Sequence, residues 1–146
     1  SIMEYYKLQG SLFDKIYVAV LSNSAKKGLF TAEERKALLE KCLIDLPNVE
    51  VICFSGLLVD CVREYKANAV IKGLRAVGDF EYEFQMALTN KKLNPEMETM
   101  FLTASDKYTF VSSSNVKEIA RHGGDLKAFL PWELIDEVTE MAQKGR

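Results

Sequence analysis

VIKGLRAVGDFEYEFQMALTN, residues Val70 to Asn90, is the stretch on which the fold turns. A short apolar run ends on Lys72, and Gly73 and Arg75 follow. Asp79 then opens a segment with Tyr82 and Glu83 in its first turn and Asn90 further along. Strand end, glycine turn, cation and helix start is the place where α/β proteins hold phosphorylated ligands, because free backbone N–H groups and the helix dipole favour an anion there.

The flanking sequence repeats the alternation. Ile16–Leu21 and Val49–Phe54 are short, apolar and β-branched, as buried strands are. Thr31 opens a helix with Glu34 three residues on, the pattern of a capping box, and Leu38, Leu39, Cys42, Leu43 and Leu46 form its stripe before Pro47. Leu57–Lys66 predicts a helix, Ala69–Lys72 a third strand, Asp79–Leu93 a helix capped by Asp79, and Met97–Thr103 a fourth strand. A helix from the serines at 112–114 to about Arg121 ends at Gly123 or Gly124 in the left-handed conformation. Pro131 sits at the first position of a last helix that runs to about Lys144, and Trp132 packs it onto the body. Such alternation predicts a Rossmann-like α/β fold, a parallel sheet with helices on both faces.

The 146 residues predict one domain spanning 1–146, large enough to bury about 70% of its unfolded surface. A net charge of −2 gives no global field that favours nucleic acid. Cys42, Cys53 and Cys61 lie in apolar runs without CxxC spacing and read as buried, reduced thiols. With one histidine in the chain, a zinc site is not expected, and His122, at a helix end, reads as structural. No signal peptide and no apolar stretch of membrane-spanning length is present, so the expectation is a soluble, cytoplasmic protein.

Three of the four expected strands end in polar residues: Ser22–Lys26, Lys72–Arg75 and Thr103–Ser114. Ligands of such sheets bind beyond the carboxyl ends of the strands. Lys72 and Arg75 could face one anion across the glycine, or be two solvated cations worth little. Ser112, Ser113 and Ser114 offer hydroxyls and backbone N–H groups to a phosphate, although one serine, Ser113 or Ser114, would serve as a simple cap. Lys26 and Lys27 alone are a wet turn. Glu83 could accept from ribose hydroxyls, or only complement the helix dipole.

The segments SAKKGLFTAEER (Ser24–Arg35), GLLVD (Gly56–Asp60), Ile71–Leu102 and YTFVSSSNVKEIARHGGD (Tyr108–Asp125) together resemble bacterial phosphopantetheine adenylyltransferases. The match runs in order from about Phe13 to Pro131, and the GLRAV-DFEYE and SSS-VKE blocks are specific to that enzyme within the wider nucleotidyltransferase superfamily. The resemblance implies transfer of AMP from ATP, with Mg²⁺, to the phosphate of 4′-phosphopantetheine, giving dephospho-coenzyme A and pyrophosphate in coenzyme A synthesis. It implies a homohexamer with small-molecule partners, including dephospho-coenzyme A or coenzyme A, and neither nucleic acid nor membrane. By matching positions, Lys26, Leu58 and Lys72 contact the pantetheine substrate. Gly73, Leu74, Arg75, Glu83 and the run Tyr108, Thr109, Phe110, Val111, Ser112, Ser113 and Ser114 hold ATP, and Lys26 and Arg75 support catalysis. Lys72 replaces the family's usual arginine and loses its bidentate fork.

The family opens with a strand, a GxFDP turn and a T/HxGH motif whose histidine stabilises the transition state. Counting back from Phe13 puts that motif's Gly-His on Ser1 and Ile2, so the catalytic histidine has no counterpart in the sequence. A Rossmann-like sheet without its central first strand leaves buried backbone groups unpaired, at about 1–3 kcal/mol each. The expectation is therefore that residues precede Ser1 in the natural protein. Two other readings remain open: a non-catalytic nucleotide- or coenzyme-A-binding module, and a sister enzyme acting on nicotinate mononucleotide. A kinase is disfavoured by the absence of a GxxxxGK[ST] loop.

Overall fold

The computed structural model of the chain describes residues 13–21, 28–74, 77–103 and 110–144. In order they form β1 (Ile16–Leu21), α1 (Ala32–Leu43), β2 (Val49–Phe54), α2 (Leu58–Glu64), β3 (Ala69–Leu74), α3 (Val77–Leu93), β4 (Glu98–Thr103), α4 (Ser113–Arg121), a 3-10 turn (Trp132–Leu134) and α5 (Ile135–Lys144). This is the α/β alternation expected from the sequence. The strands pair as β1 with β2 and β3 with β4, each pair a two-stranded sheet. The chain divides into two compact units, Phe54–Thr109 and a second made of Ile2–Cys53 with Phe110–Arg146.

In the second unit, alternation along β1 buries Ile16, Val18 and Val20, which join Leu43 of α1 and Val51 of β2 in one core. The capping box at the start of α1 is present. Glu34 N–H donates to Thr31 Oγ1 at 3.1 Å, and Thr31 N–H donates to Glu34 Oε2 at 2.8 Å. A separate core packs Val116 and Ala120 of α4 against Val138 and Ala142 of α5, with Leu126 between them. His122 caps α4 and meets Glu118 at 3.1 Å, a structural role as expected, and Gly123, at φ 71°, ends the helix in the left-handed region.

In the other unit, β3 and β4 run parallel in the register Ala69↔Glu98 through Leu74↔Thr103. Val59 and Val62 of α2 pack with Met97, and Val70 of β3 leans on the same cluster. Arg63 donates to Leu93 O at 2.9 Å and so ties α2 to the end of α3.

The structure corrects several boundaries. β3 does not stop at Lys72: it continues to Leu74, and Gly73 sits opposite Leu102 inside the ladder, so the glycine makes no turn. Two register positions on β4 are available beyond Lys72, and pairing extends to use them. α3 begins at Val77, which makes Asp79 a first-turn acid and not the cap, and moves Tyr82 and Glu83 beyond the first turn. α2 spans Leu58–Glu64 only, because Lys66 takes a positive φ of 50°. Pro131 flanks the 3-10 turn in an extended conformation, at ψ 139°, and is not the first helical residue. Trp132 is 80% exposed and does not pack the last helix onto the body. The cysteines are free thiols as expected, but only Cys61 is buried, while Cys42 and Cys53 are half-buried.

Candidate active site

The carboxyl ends of β3 and β4 lie side by side, with Lys72 opposite Phe101, Gly73 opposite Leu102 and Leu74 opposite Thr103. Side chains alternate along a strand, so Lys72 and Leu74 share a face with Phe101 and Thr103 while position 73 faces the other way. α3 crosses the Lys72 face. The Phe80 ring meets Phe101 edge-on, with centroids 5.9 Å apart, and stacks on Phe84 at 5.5 Å. These ring contacts set the rotation of the helix. They aim Glu83 back at the strand, where its Oε2 lies 3.3 Å from Lys72 Nζ.

The Lys72 and Glu83 side chains are 34% and 26% exposed. The pair is thus partly withdrawn from water. The two residues come from opposite subsites of the sequence reading, Lys72 for the acceptor and Glu83 for ATP, and the fold joins them directly. This contact was not legible in the sequence. Eleven positions separate the residues across a strand and a helix start, and no periodicity links them.

The neighbours differ in character. Gly73 is exposed, and a Cβ added there would meet nothing within 4 Å. Leu74 is half-buried at the strand end. Leu58, the first residue of α2, is half-buried and packs on the Val59, Val62 and Met97 cluster, presenting an apolar edge. The turn before it carries Gly56 at φ 135°, a conformation that side chains rarely adopt.

The serines belong to the other unit. Ser112, neither Ser113 nor Ser114, is the cap of α4, and its hydroxyl accepts from Asn115 N–H at 3.2 Å. Ser113 and Ser114 are exposed first-turn residues with hydroxyls at the positive end of the helix dipole. Phe110 is exposed and meets Phe129 edge-on at 5.8 Å, while Val111 leans on the core beneath α4. Lys26, Lys27, Arg75, Tyr108 and Thr109 lie outside the described residues. Among the described residues no group of three or more His, Cys, Asp or Glu could hold a metal ion, and no helix is long and apolar enough to cross a membrane.

Comparison with known proteins adds a family to this geometry. Residues 7–119 match the family model described as cytidylyltransferase-like. The phosphopantetheine adenylyltransferase of Caldanaerobacter subterraneus subsp. tengcongensis is 53% identical over 143 residues, 98% of this chain and 89% of that protein. The enzyme of the same name from Clostridium tetani is 49% identical over 136 residues, 93% of this chain and 85% of its own. That of Dictyoglomus thermophilum is 54% identical over 129 residues, 88% of this chain and 79% of its own.

Proposed function

The chain belongs to the phosphopantetheine adenylyltransferase family, and from that premise we propose how its residues carry the family's reaction. It is a nucleotidyltransferase of coenzyme A synthesis, moving the adenylyl group of ATP to 4′-phosphopantetheine. An oxygen of the acceptor's phosphate attacks the α-phosphorus of ATP. The bond from that phosphorus to the bridging oxygen of the β-phosphate breaks, and pyrophosphate leaves with the electron pair. The products are dephospho-coenzyme A and pyrophosphate.

The nucleophile belongs to the substrate, so the protein needs no serine, cysteine or aspartate to attack. Its work is to align two polyanions in line and to offset charge as it moves onto the leaving group. In our assignment Lys72 holds the acceptor phosphate and Leu58 lies along the pantetheine arm, with Lys26 on the same substrate. Gly73, Leu74 and Arg75 receive ATP along the strand end. Glu83 accepts from its ribose hydroxyls, and the family resemblance assigns Tyr108–Ser114 to ATP as well. The observation that supports this reading is the 3.3 Å contact of Lys72 with Glu83 at the paired strand ends, since residues assigned to the acceptor and to the nucleotide are then neighbours.

Magnesium is proposed as an ion that ATP brings. Held by triphosphate oxygens, it would offset charge on the leaving pyrophosphate. We also propose a homohexamer in the cytoplasm, with small molecules as its substrates and no nucleic acid partner. Phe80, Phe84 and Leu88 follow one another at four-residue spacing along α3 and remain 42%, 45% and 55% exposed, an apolar stripe suited to burial between copies.

The deciding experiment is pyrophosphate release from ATP in the presence of 4′-phosphopantetheine, using the full natural chain. Release that depends on both substrates is the expected result. No release, with nicotinate mononucleotide accepted instead, would reassign the substrate. Tight binding of ATP or coenzyme A without turnover would make the protein a binding module. Light scattering at the mass of a single chain would refute the hexamer.

A further inference from the structure

The Lys72–Glu83 pair places a carboxylate where the acceptor's phosphate would have to bind. Lys72 is the cation assigned to that phosphate, yet in the unliganded fold its ammonium already faces Glu83 at 3.3 Å. Any phosphate oxygen within hydrogen-bond reach of Nζ also comes close to the Glu83 carboxylate, and like charges at such separation repel. An arginine at this position could offer one edge of its fork to the carboxylate and the other to the phosphate. A lysine presents a single compact charge that both must share.

Glu83 is also the residue assigned to the nucleotide's ribose. Hydroxyls that donate to it spread its charge and weaken its hold on the ammonium. Accordingly, and resting on the function proposed above, we propose that Glu83 is the counter-ion of Lys72 in the free enzyme and that ATP binding releases Lys72 for the acceptor, coupling the two substrates through one ion pair. Coupling of this kind is reciprocal, so the acceptor strengthens nucleotide binding by the same factor. Glu83 is then a positioning residue for the acceptor as well as a ligand of the nucleotide.

The two roles predict different outcomes in one measurement. Glu83→Gln keeps the shape and removes the charge. Calorimetry with 4′-phosphopantetheine alone should show roughly two- to five-fold tighter binding to this variant than to wild type, the range expected for a partly exposed pair. A residue that served only the ribose would leave acceptor binding unchanged, and a merely structural one would weaken it. Either result overturns the proposal. In a Lys72→Met background the same substitution should have no effect, and an equal gain there would show that the coupling does not run through this pair. With wild type, a nucleotide analogue methylene-blocked between its α- and β-phosphates should tighten acceptor binding, and Lys72→Arg should shrink that dependence. Equal acceptor affinity with and without the analogue would refute the coupling even if Glu83→Gln failed to fold. Absence of substrate-dependent pyrophosphate release by wild type would instead refute the function on which the proposal rests.

Discussion

Gly73→Ala separates what the fold needs at this position from what the ligand needs. Gly73 is inside β3, opposite Leu102, and its φ is not in the left-handed region that only glycine favours. A Cβ built there meets nothing within 4 Å, so the described fold gives no reason for glycine. Glycine within a strand costs about 0.5–1 kcal/mol relative to alanine through the entropy of the unfolded chain. At this chain length each kcal/mol moves the melting temperature by about 2–4 °C. The variant should therefore melt about 1–4 °C higher than wild type. If the ATP backbone contact assigned to Gly73 exists, the new methyl lies in the path of the nucleotide. A displacement of about 1 Å costs on the order of a hundredfold in rate, or about 2.7 kcal/mol of transition-state stabilisation. The assay pairs a thermal melt with kcat/KM for ATP from coupled pyrophosphate release. A raised melting temperature with unchanged kcat/KM would refute the close approach of ATP, and a lowered one would refute the claim that the space is open.

Further outcomes test the frame around the site. Leu126, 1% exposed between α4 and α5, should cost about 2–5 kcal/mol when truncated to alanine, read as a lower urea midpoint, and a loss below about 1 kcal/mol would mean that the cluster collapses around the gap. Thr31→Ala removes the acceptor for Glu34 N–H and should cost about 0.5–2 kcal/mol by the same titration, whereas an unchanged midpoint would show that the capping box is not maintained in solution. Burial pushes the Cys61 thiol above its ordinary range, with Glu64 adding to the effect. In the native protein at pH 8 it should react with iodoacetamide far more slowly than in urea, and equal rates followed by mass spectrometry would contradict its burial. The fold favours the protonated thiol. Its contribution to stability is therefore complete below the unfolded thiol value of about 8.5 and is lost as pH climbs through the higher folded value.

Local signals in the sequence were those that act over a few residues. The capping box at Thr31 and Glu34, the left-handed Gly123 after α4 and the apolar strands at Ile16–Leu21 and Val49–Phe54 each depend on immediate neighbours, and each is present. What misled the reading near the site was also local. Gly73 after an apolar run suggests a turn, but its place in the ladder depends on Leu102, about thirty residues on, and no turn rule contains that information. Pro131 and Trp132 failed for a related reason. A proline at a helix start fixes only its own φ, and whether the next aromatic is covered depends on packing partners that sequence spacing does not identify. The candidate site was chosen on residue types, because cations and hydroxyls beside strand ends suit phosphate. The Lys72–Glu83 pairing was not, because it is set by the rings of Phe80 and Phe101 turning α3 onto the sheet.

The partial exposure of that pair fits the chemistry better than full burial would. Adenylyl transfer between two phosphates requires the cation to be surrendered to substrate in every turnover and regained afterwards. Separating a buried ion pair strands a charge and costs about 3–5 kcal/mol, which would be subtracted from acceptor binding on each cycle. Many fully exposed pairs contribute nothing measurable, too little to distinguish the nucleotide-free from the nucleotide-bound state. At 34% and 26% exposure Lys72 and Glu83 lie between those limits. Water reaches both ends, so the contact can open without stranding a charge, and the strand and helix behind them hold the two groups close enough for the loss of one to be felt by the other. A lysine where the resemblance implies an arginine acts in the same direction in the proposed roles. It gives up bidentate grip on the acceptor and makes what grip remains depend on whether Glu83 is engaged elsewhere. Substrate affinity and substrate order at this site are therefore two consequences of one contact, and a substitution that strengthens the first should weaken the second.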